Sequence, residues 1–230
     1  MKTLLLFVAL LSVTNLSWAQ SKVGASEKRL DSAGKVLHEI MVAPDNGIPV
    51  EVLYHAKCVA VVPHMLKESI VFGVENGRGV ITCRTTVGWS APAFFAISGG
   101  SWGLQVGVEG VSLVLIIQND RGMQRLLSNR CEIGANATAS AGPIGRHTSA
   151  DTDWKLNSDI LTYSRPAGAF AGVTLNGASI RSDDISMEAV YGRHFSTRRV
   201  LQGEAAPPDA AQSFLSSVRD TTAQTASVDR

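Results

Sequence analysis

The sequence predicts an α+β fold: an N-terminal helical segment and a strongly curved, mostly antiparallel β-sheet or barrel with short helices. Three observations predict it. Leu30, Ala33, Leu37 and Ile40/Met41 recur at helical spacing over residues 20–42, and Pro44-Asp45-Asn46-Gly47 stops the pattern. From Cys58 the chain turns into short β-rich apolar runs punctuated by Gly and Asn-Gly. Gly73, Gly103, Gly107 and Gly172 interrupt such runs, as strand bends or close packing require. Curving the sheet toward closure also removes exposed edges.

The elements follow in order. Lys2, the apolar stretch Leu4 to Leu11 and the small residues around Ala19 form a signal-peptide pattern with a cut after Ala19. A domain is expected over 20–203 and a flexible, exposed tail over 204–230, helical at most over Asp209 to Val218. Gly34 weakens the 20–42 helix. A second short helix fits Val50 to Lys57. Strands are expected at 58–63, 70–74, 79–84, 93–97, 103–108, 111–118, 160–165, 169–175 and 178–181. Asn76-Gly77 and Asn176-Gly177 are the hairpin turns. Asn119 caps a helix toward Asn129, and Asp183 or Asp184 caps another toward Tyr191.

Composition narrows the function. The hydrophobic fraction of 45% excludes a disordered chain. The formal net charge is +1, and removing residues 1–19 takes away Lys2 alone. A neutral chain carries no global field to attract nucleic acid. After the signal peptide the longest apolar run, Leu113 to Ile117, is too short to cross a bilayer as a helix. Cys58, Cys83 and Cys131 lack C-x-x-C spacing. Their apolar surroundings favour buried free thiols, with one disulfide and one leftover thiol as the alternative.

Catalytic patterns are incomplete. Gly99-Gly100-Ser101-Trp102-Gly103 matches G-x-S-x-G, and His194 follows, so a serine esterase using Ser101 and His194 is the alternative enzyme reading. The motif needs a strand, a sharp turn and a helix, whereas Leu104 to Val108 is β-like. The five histidines show no i, i+4 pair, and Asp151 to Asp159 lacks the glycine and glutamate of a calcium loop. No phosphate-loop or dinucleotide motif occurs. No metal or cofactor is therefore expected. Basic residues cluster at Lys28, Arg29 and Lys35, and at Arg193, His194, Arg198 and Arg199. Beside apolar surface such groups can meet an anionic headgroup.

One string of motifs adds to this. Phe72-Gly73, Gly77-x-Gly79-Val80, Arg84 and Gly88-Trp89-Ser90-Ala91-Pro92-Ala93-Phe94 come first. Gly99-Gly100-Ser101-x-Gly103-x-Gln105-x-Gly107, Gly142-Pro143-x-Gly145-Arg146, Thr152-Asp153, Tyr163-Ser164, Gly168-x-Phe170-Ala171-Gly172-Val173 and Tyr191-Gly192 follow. Together they resemble the SYLF domain family over about residues 28–203. The resemblance implies lipid binding without catalysis. Eukaryotic members bind phosphoinositides and some bind actin, while bacterial relatives are commonly secreted or periplasmic. Those eukaryotic members carry a basic amphipathic N-terminal helix, and residues 22–42 here are only mildly basic.

The expectation is thus a secreted or periplasmic, non-catalytic lipid-binding protein in peripheral contact with a membrane. Its partner is an anionic phospholipid or other amphiphile, with actin implied only by the resemblance. Lys28, Arg29, Lys35, Arg193, Arg198 and Arg199 are the candidate headgroup residues. A structural envelope protein, including a small barrel, is the remaining alternative. An aromatic content of 6% argues against the aromatic girdles of such barrels.

Overall fold

The structure is a computed structural model. It describes residues 2–42, 47–68, 74–99, 101–102, 111–128, 130–135, 137–142, 158–165, 171–172, 175–192 and 195–223. The expected strand 103–108 and residues 70–73, 151–157, Arg193 and His194 lie outside the described residues.

Helices α1 (Lys2–Val42) and α2 (Val50–His55) lead into the sheet. The strands are β1 (Cys58–Glu68), β2 (Val74–Thr85), β3 (Gly88–Trp89), β4 (Ala93–Ser98), β5 (Ser101–Trp102) and β6 (Val111–Ile117). After α3 (Asp120–Leu126) come β7 (Arg130–Glu132), β8 (Ala139–Ala141), β9 (Ile160–Arg165), β10 (Ala171–Gly172), β11 (Leu175–Asn176) and β12 (Ser179–Ser182). Helices α4 (Asp184–Tyr191), α5 (Thr197–Leu201) and α6 (Gln212–Ala223) complete the described chain. The main sheet runs β10-β9-β6-β1-β2-β4-β12-β7 and curls into a half-barrel. Its pairings are antiparallel except β8 on β9.

The middle of the sheet is apolar on both faces because both are covered. Cys58 to Val62 is buried throughout, the pattern of a strand packed on two sides. On one face α1 presents Leu30, Ala33, Leu37 and Ile40, all fully buried. Arg29 of that helix lies over the Phe94 ring, 5.5 Å from its centroid. Alternation sends Ala60, Ile81 and Phe95 to the other face, where α3 and α5 approach.

Pro63 sits within β1 and has no N–H for the ladder. The register shifts between Val61 and Met65 against β2, and between Val62 and Met65 against β6. The strand bulges there, and the Ser112 hydroxyl donates to the Pro63 carbonyl at 2.7 Å. His64 is left at the bulge.

Several expectations are corrected. Asn76-Gly77 is no hairpin turn; it lies inside β2, opposite Leu66 and Met65. A Cβ on Gly77 would stand 2.3 Å from Met65 Sδ and 2.7 Å from Val62 Cγ1. The glycine there serves close packing rather than chain reversal. Asn176-Gly177 does turn, with Gly177 at φ +74°. Yet β11 pairs with β5 and β12 pairs with β4 and β7, so no hairpin joins them.

The cysteines are not all free. Register puts Cys58 opposite Cys83, and the two form a disulfide. Cys131 is the buried free thiol, and burial pushes its pKa up.

The segment expected as an exposed tail is folded up to Ala223. Phe214, Leu215 and Val218 of α6 are buried against the core, and α6 packs on α1. Their spacing forms an apolar stripe that water would not support. A Cβ on Gly34 would come within 3.1 Å of the Ser213 backbone. The residue that weakened the helix prediction is what lets the two helices touch.

Candidate functional site

A groove of about 1010 Å³ lies between the Ala25 to Ser32 stretch of α1, the sheet and the start of α4. Sheet register builds its floor. Arg78 on β2 stands opposite Ala96 on β4, and Ala96 stands opposite Arg181 on β12. The same row continues to Arg130 on β7, which pairs with Arg181. His64, at the β1 bulge, also lines the groove. Bulky side chains at Ala96 would fill the gap between the two arginines. Alanine leaves it open.

The far end is held by an ion pair. Arg29 Nη1 donates to Asp183 Oδ2 at 2.9 Å, with side chains 11% and 6% exposed. Asp183 is also the N-cap of α4, accepting from the Ser186 N–H and hydroxyl. Burial works to raise the Asp183 pKa, but bonds from Ser186 and Arg29, with the Arg29 charge, hold it below the ordinary carboxylate value. Burial also lowers the Arg29 pKa; Asp183 opposes this and the nearby charge of Arg78 adds to it. Tyr191, at the other end of α4, donates to the Pro92 carbonyl at 2.6 Å and so anchors the helix.

Charge in the groove is unbalanced. Lys28, Arg29, Arg78 and Arg181 line it against Asp183 and Asp184. Asp183 is matched by Arg29. Lys28, Arg78 and Arg181 take no part in the ion pairs among the described residues. Arg78 and Arg181 are exposed and flank Ala96 in one row, so that with Lys28 and Arg29 the groove holds more positive charge than Asp183 and Asp184 offset. The arrangement can bind an anion by charge-assisted hydrogen bonds.

A second, smaller cavity of about 360 Å³ adjoins it. Ala60, Phe95, Leu115 and Ile180 line it from the sheet, and Leu126 and Leu127 from the end of α3. Arg198 stands at its mouth and donates to the Leu127 carbonyl at 3.4 Å.

The basic residues named from sequence scatter. Lys28 and Arg29 reach the groove, but Arg29 is committed to Asp183. Lys35 lies elsewhere, beside α6, paired with Asp31 at 2.7 Å. Arg198 borders the small cavity, while Arg199 pairs with Glu204 at 2.6 Å and lies over Phe195. Ser101 is in a two-residue strand paired to β11, and its proposed partner His194 is outside the described residues. No group of three or more His, Cys, Asp or Glu suited to a metal occurs among the described residues.

Sequence reasoning missed Arg78 and Arg181. Arg78 was hidden by the Asn-Gly turn reading, which took it out of a strand. Periodicity carried no signal for it, because Gly79, Val80 and Ile81 are buried in succession.

Some motif residues of the SYLF resemblance support the fold itself. Arg84 donates to the Ala56 carbonyl at 2.9 Å and the Tyr54 carbonyl at 3.2 Å, closing the end of α2. Its guanidinium lies over the Trp89 ring at 4.6 Å. Ser90 accepts from the Cys83 N–H at 3.1 Å.

Comparison with known proteins agrees with the motif string. Residues 98–221 match the Ysc84 family model, described as "Las17-binding protein actin regulator". Protein YSC84 of Saccharomyces cerevisiae is 33% identical over 175 residues, covering 74% of this chain and 37% of that protein. The human SH3 domain-containing YSC84-like protein 1 is 28% identical over 187 residues, covering 78% of this chain and 54% of its own length. LAS seventeen-binding protein 3 of Saccharomyces cerevisiae is 32% identical over 170 residues, covering 72% and 37%. The chain therefore spans about a third to a half of the length of these relatives, whose family description is one of binding rather than catalysis. On its motifs, its fold and a family match across more than half its length, the chain belongs to the Ysc84 family of SYLF-domain proteins.

Proposed function

We propose that this chain is a non-catalytic lipid-binding protein whose cation-lined groove takes the phosphate of an anionic phospholipid. The observation that carries the reading is the register row Arg78–Ala96–Arg181 with Lys28 above it. A row set by backbone pairing holds its charges at fixed spacing without help from flexible loops. The mild basicity of α1 then ceases to be an obstacle, because the sheet supplies the cations.

The same proposal has the chain exported, with residues 1–19 removed. Two observations support that part. Among the residues of α1 whose side chains are described, every buried one lies between Ser26 and Ile40, beyond a cut after Ala19. The Cys58–Cys83 disulfide is a bond that persists in oxidising compartments. No helix among the described residues is long and apolar enough to cross a membrane, and contact with lipid would be peripheral. N-terminal sequencing of the exported protein should begin at Gln20; retention of residues 1–19 on a cytosolic protein overturns it.

Flotation with vesicles tests the groove. The chain should be recovered with vesicles rich in anionic phospholipid at low salt and released at high salt, as screening predicts. Each Lys or Arg near such a surface contributes about 1 kcal/mol, so R78A/R181A should weaken recovery about thirtyfold. Equal recovery with purely zwitterionic vesicles sinks the proposal.

A further inference from the structure

The groove and the small cavity lie on opposite faces of the sheet and share a rim at the end of β12. Arg181, Ser182 and Asp184 line both. We infer that the cavity receives one acyl chain of a lipid whose anionic head lies in the groove, so that the protein holds a single lipid molecule and does not merely dock on a bilayer. The inference rests on the groove reading for the position of the head.

The chemistry of the two spaces divides along this rim. The groove side carries Lys28, Arg78 and Arg181. The cavity side is walled by Ala60, Phe95, Leu115, Ile180, Leu126 and Leu127, which have no side-chain hydrogen-bonding atoms. Water in such a space finds few partners, whereas an alkyl chain gives up none. At about 360 Å³ the cavity lies at the lower end of the ~300–1,000 Å³ typical of small-molecule sites. That suits one chain and excludes a whole two-chain lipid.

The mouth selects for an amphiphile with an anionic end over a neutral hydrocarbon. Arg181 and Arg198 stand there against Asp184 alone. Arg198 spends one donor on the Leu127 carbonyl and retains the rest of its guanidinium fork. Ser182 and Thr197, hydrogen-bonded to each other at 2.7 Å, complete a polar collar. The wall of the cavity comes from β1, β2, β4, β6 and β12, rigid elements that keep it preformed.

Calorimetry with three probes below their micelle-forming concentrations tests this. Lysophosphatidic acid carries one chain and one phosphate, glycerol phosphate the head alone, and palmitate the chain alone. Lysophosphatidic acid should bind with one-to-one stoichiometry, at least tenfold more tightly than either fragment. Two variants fill the cavity: L127W from its wall and S128W from its exposed mouth, the latter without touching the core. Both should lower lysophosphatidic acid affinity to the level of glycerol phosphate and leave low-salt flotation unchanged, with unaltered circular dichroism. R78A should instead weaken lysophosphatidic acid and glycerol phosphate together and spare palmitate.

Unchanged lysophosphatidic acid binding in a folded S128W overturns the cavity. So does flotation of the wild-type chain without saturable binding of the single-chain lipid. Loss in S128W with none in R78A leaves the cavity standing and removes the groove as the head site.

Discussion

Arg29 Nη1 lies 2.9 Å from Asp183 Oδ2, across 154 positions of sequence. The pair ties α1 to the cap of α4, and both walls of the groove depend on it. Removing one member of a buried pair strands the other charge away from water.

R29M should therefore destabilise the fold by about 3 kcal/mol at neutral pH, measured by urea unfolding. The pH dependence follows from Asp183, whose folded pKa is depressed. Its contribution is complete above the ordinary carboxylate pKa of about 4 and is lost as pH falls through the lower folded value. The stability gap between wild type and D183N should be largest near neutral pH and shrink on acidification. A gap constant with pH would show that the ionised pair contributes nothing.

Reducing the Cys58–Cys83 bond should cost about 3 kcal/mol, since it closes a loop with a sequence separation of 25. C58A/C83A should show the same loss. Alkylation of the native oxidised protein should label no cysteine, and alkylation after unfolding should label Cys131 alone. Labelling of three thiols under non-reducing unfolding would refute the pairing.

G34L should destabilise by about 2 kcal/mol, because the side chain has to displace backbone at Ser213. G24A on the same helix meets nothing within 4 Å and should not destabilise. Equal melting temperatures for G34L and wild type would show that α1 and α6 do not pack closely.

K35A and R199A should float with anionic vesicles as well as wild type, because each side chain is paired and away from the groove. K28A should reduce recovery severalfold, as one Lys near the surface contributes about 1 kcal/mol. The reverse ranking would move the lipid surface to α6 and α5.

Local chemistry made part of this molecule legible. The Leu30–Ala33–Leu37–Ile40 stripe, the Asn119 cap, which accepts from the Gly122 N–H, and the Asp183 cap each depend on neighbours within a few residues. What sequence hid depends on pairing between distant strands. Arg78 and Arg181 become neighbours of one alanine only through register. Arg29 looked like a free surface cation until its partner arrived from α4. Asn76-Gly77 has the composition of a turn, and only the Met65 and Val62 side chains reveal why a strand needs glycine there. The α6 stripe of Phe214, Leu215 and Val218 was present in the sequence, but surrounding Ala, Ser and Pro residues masked it.

The contact between Gly34 and Ser213 also sets an order of events during synthesis. A chain growing from its N-terminus makes the α1 face around Gly34 long before the helix that covers it. That face stays open until α6 has been made, so the domain is completed late rather than piece by piece.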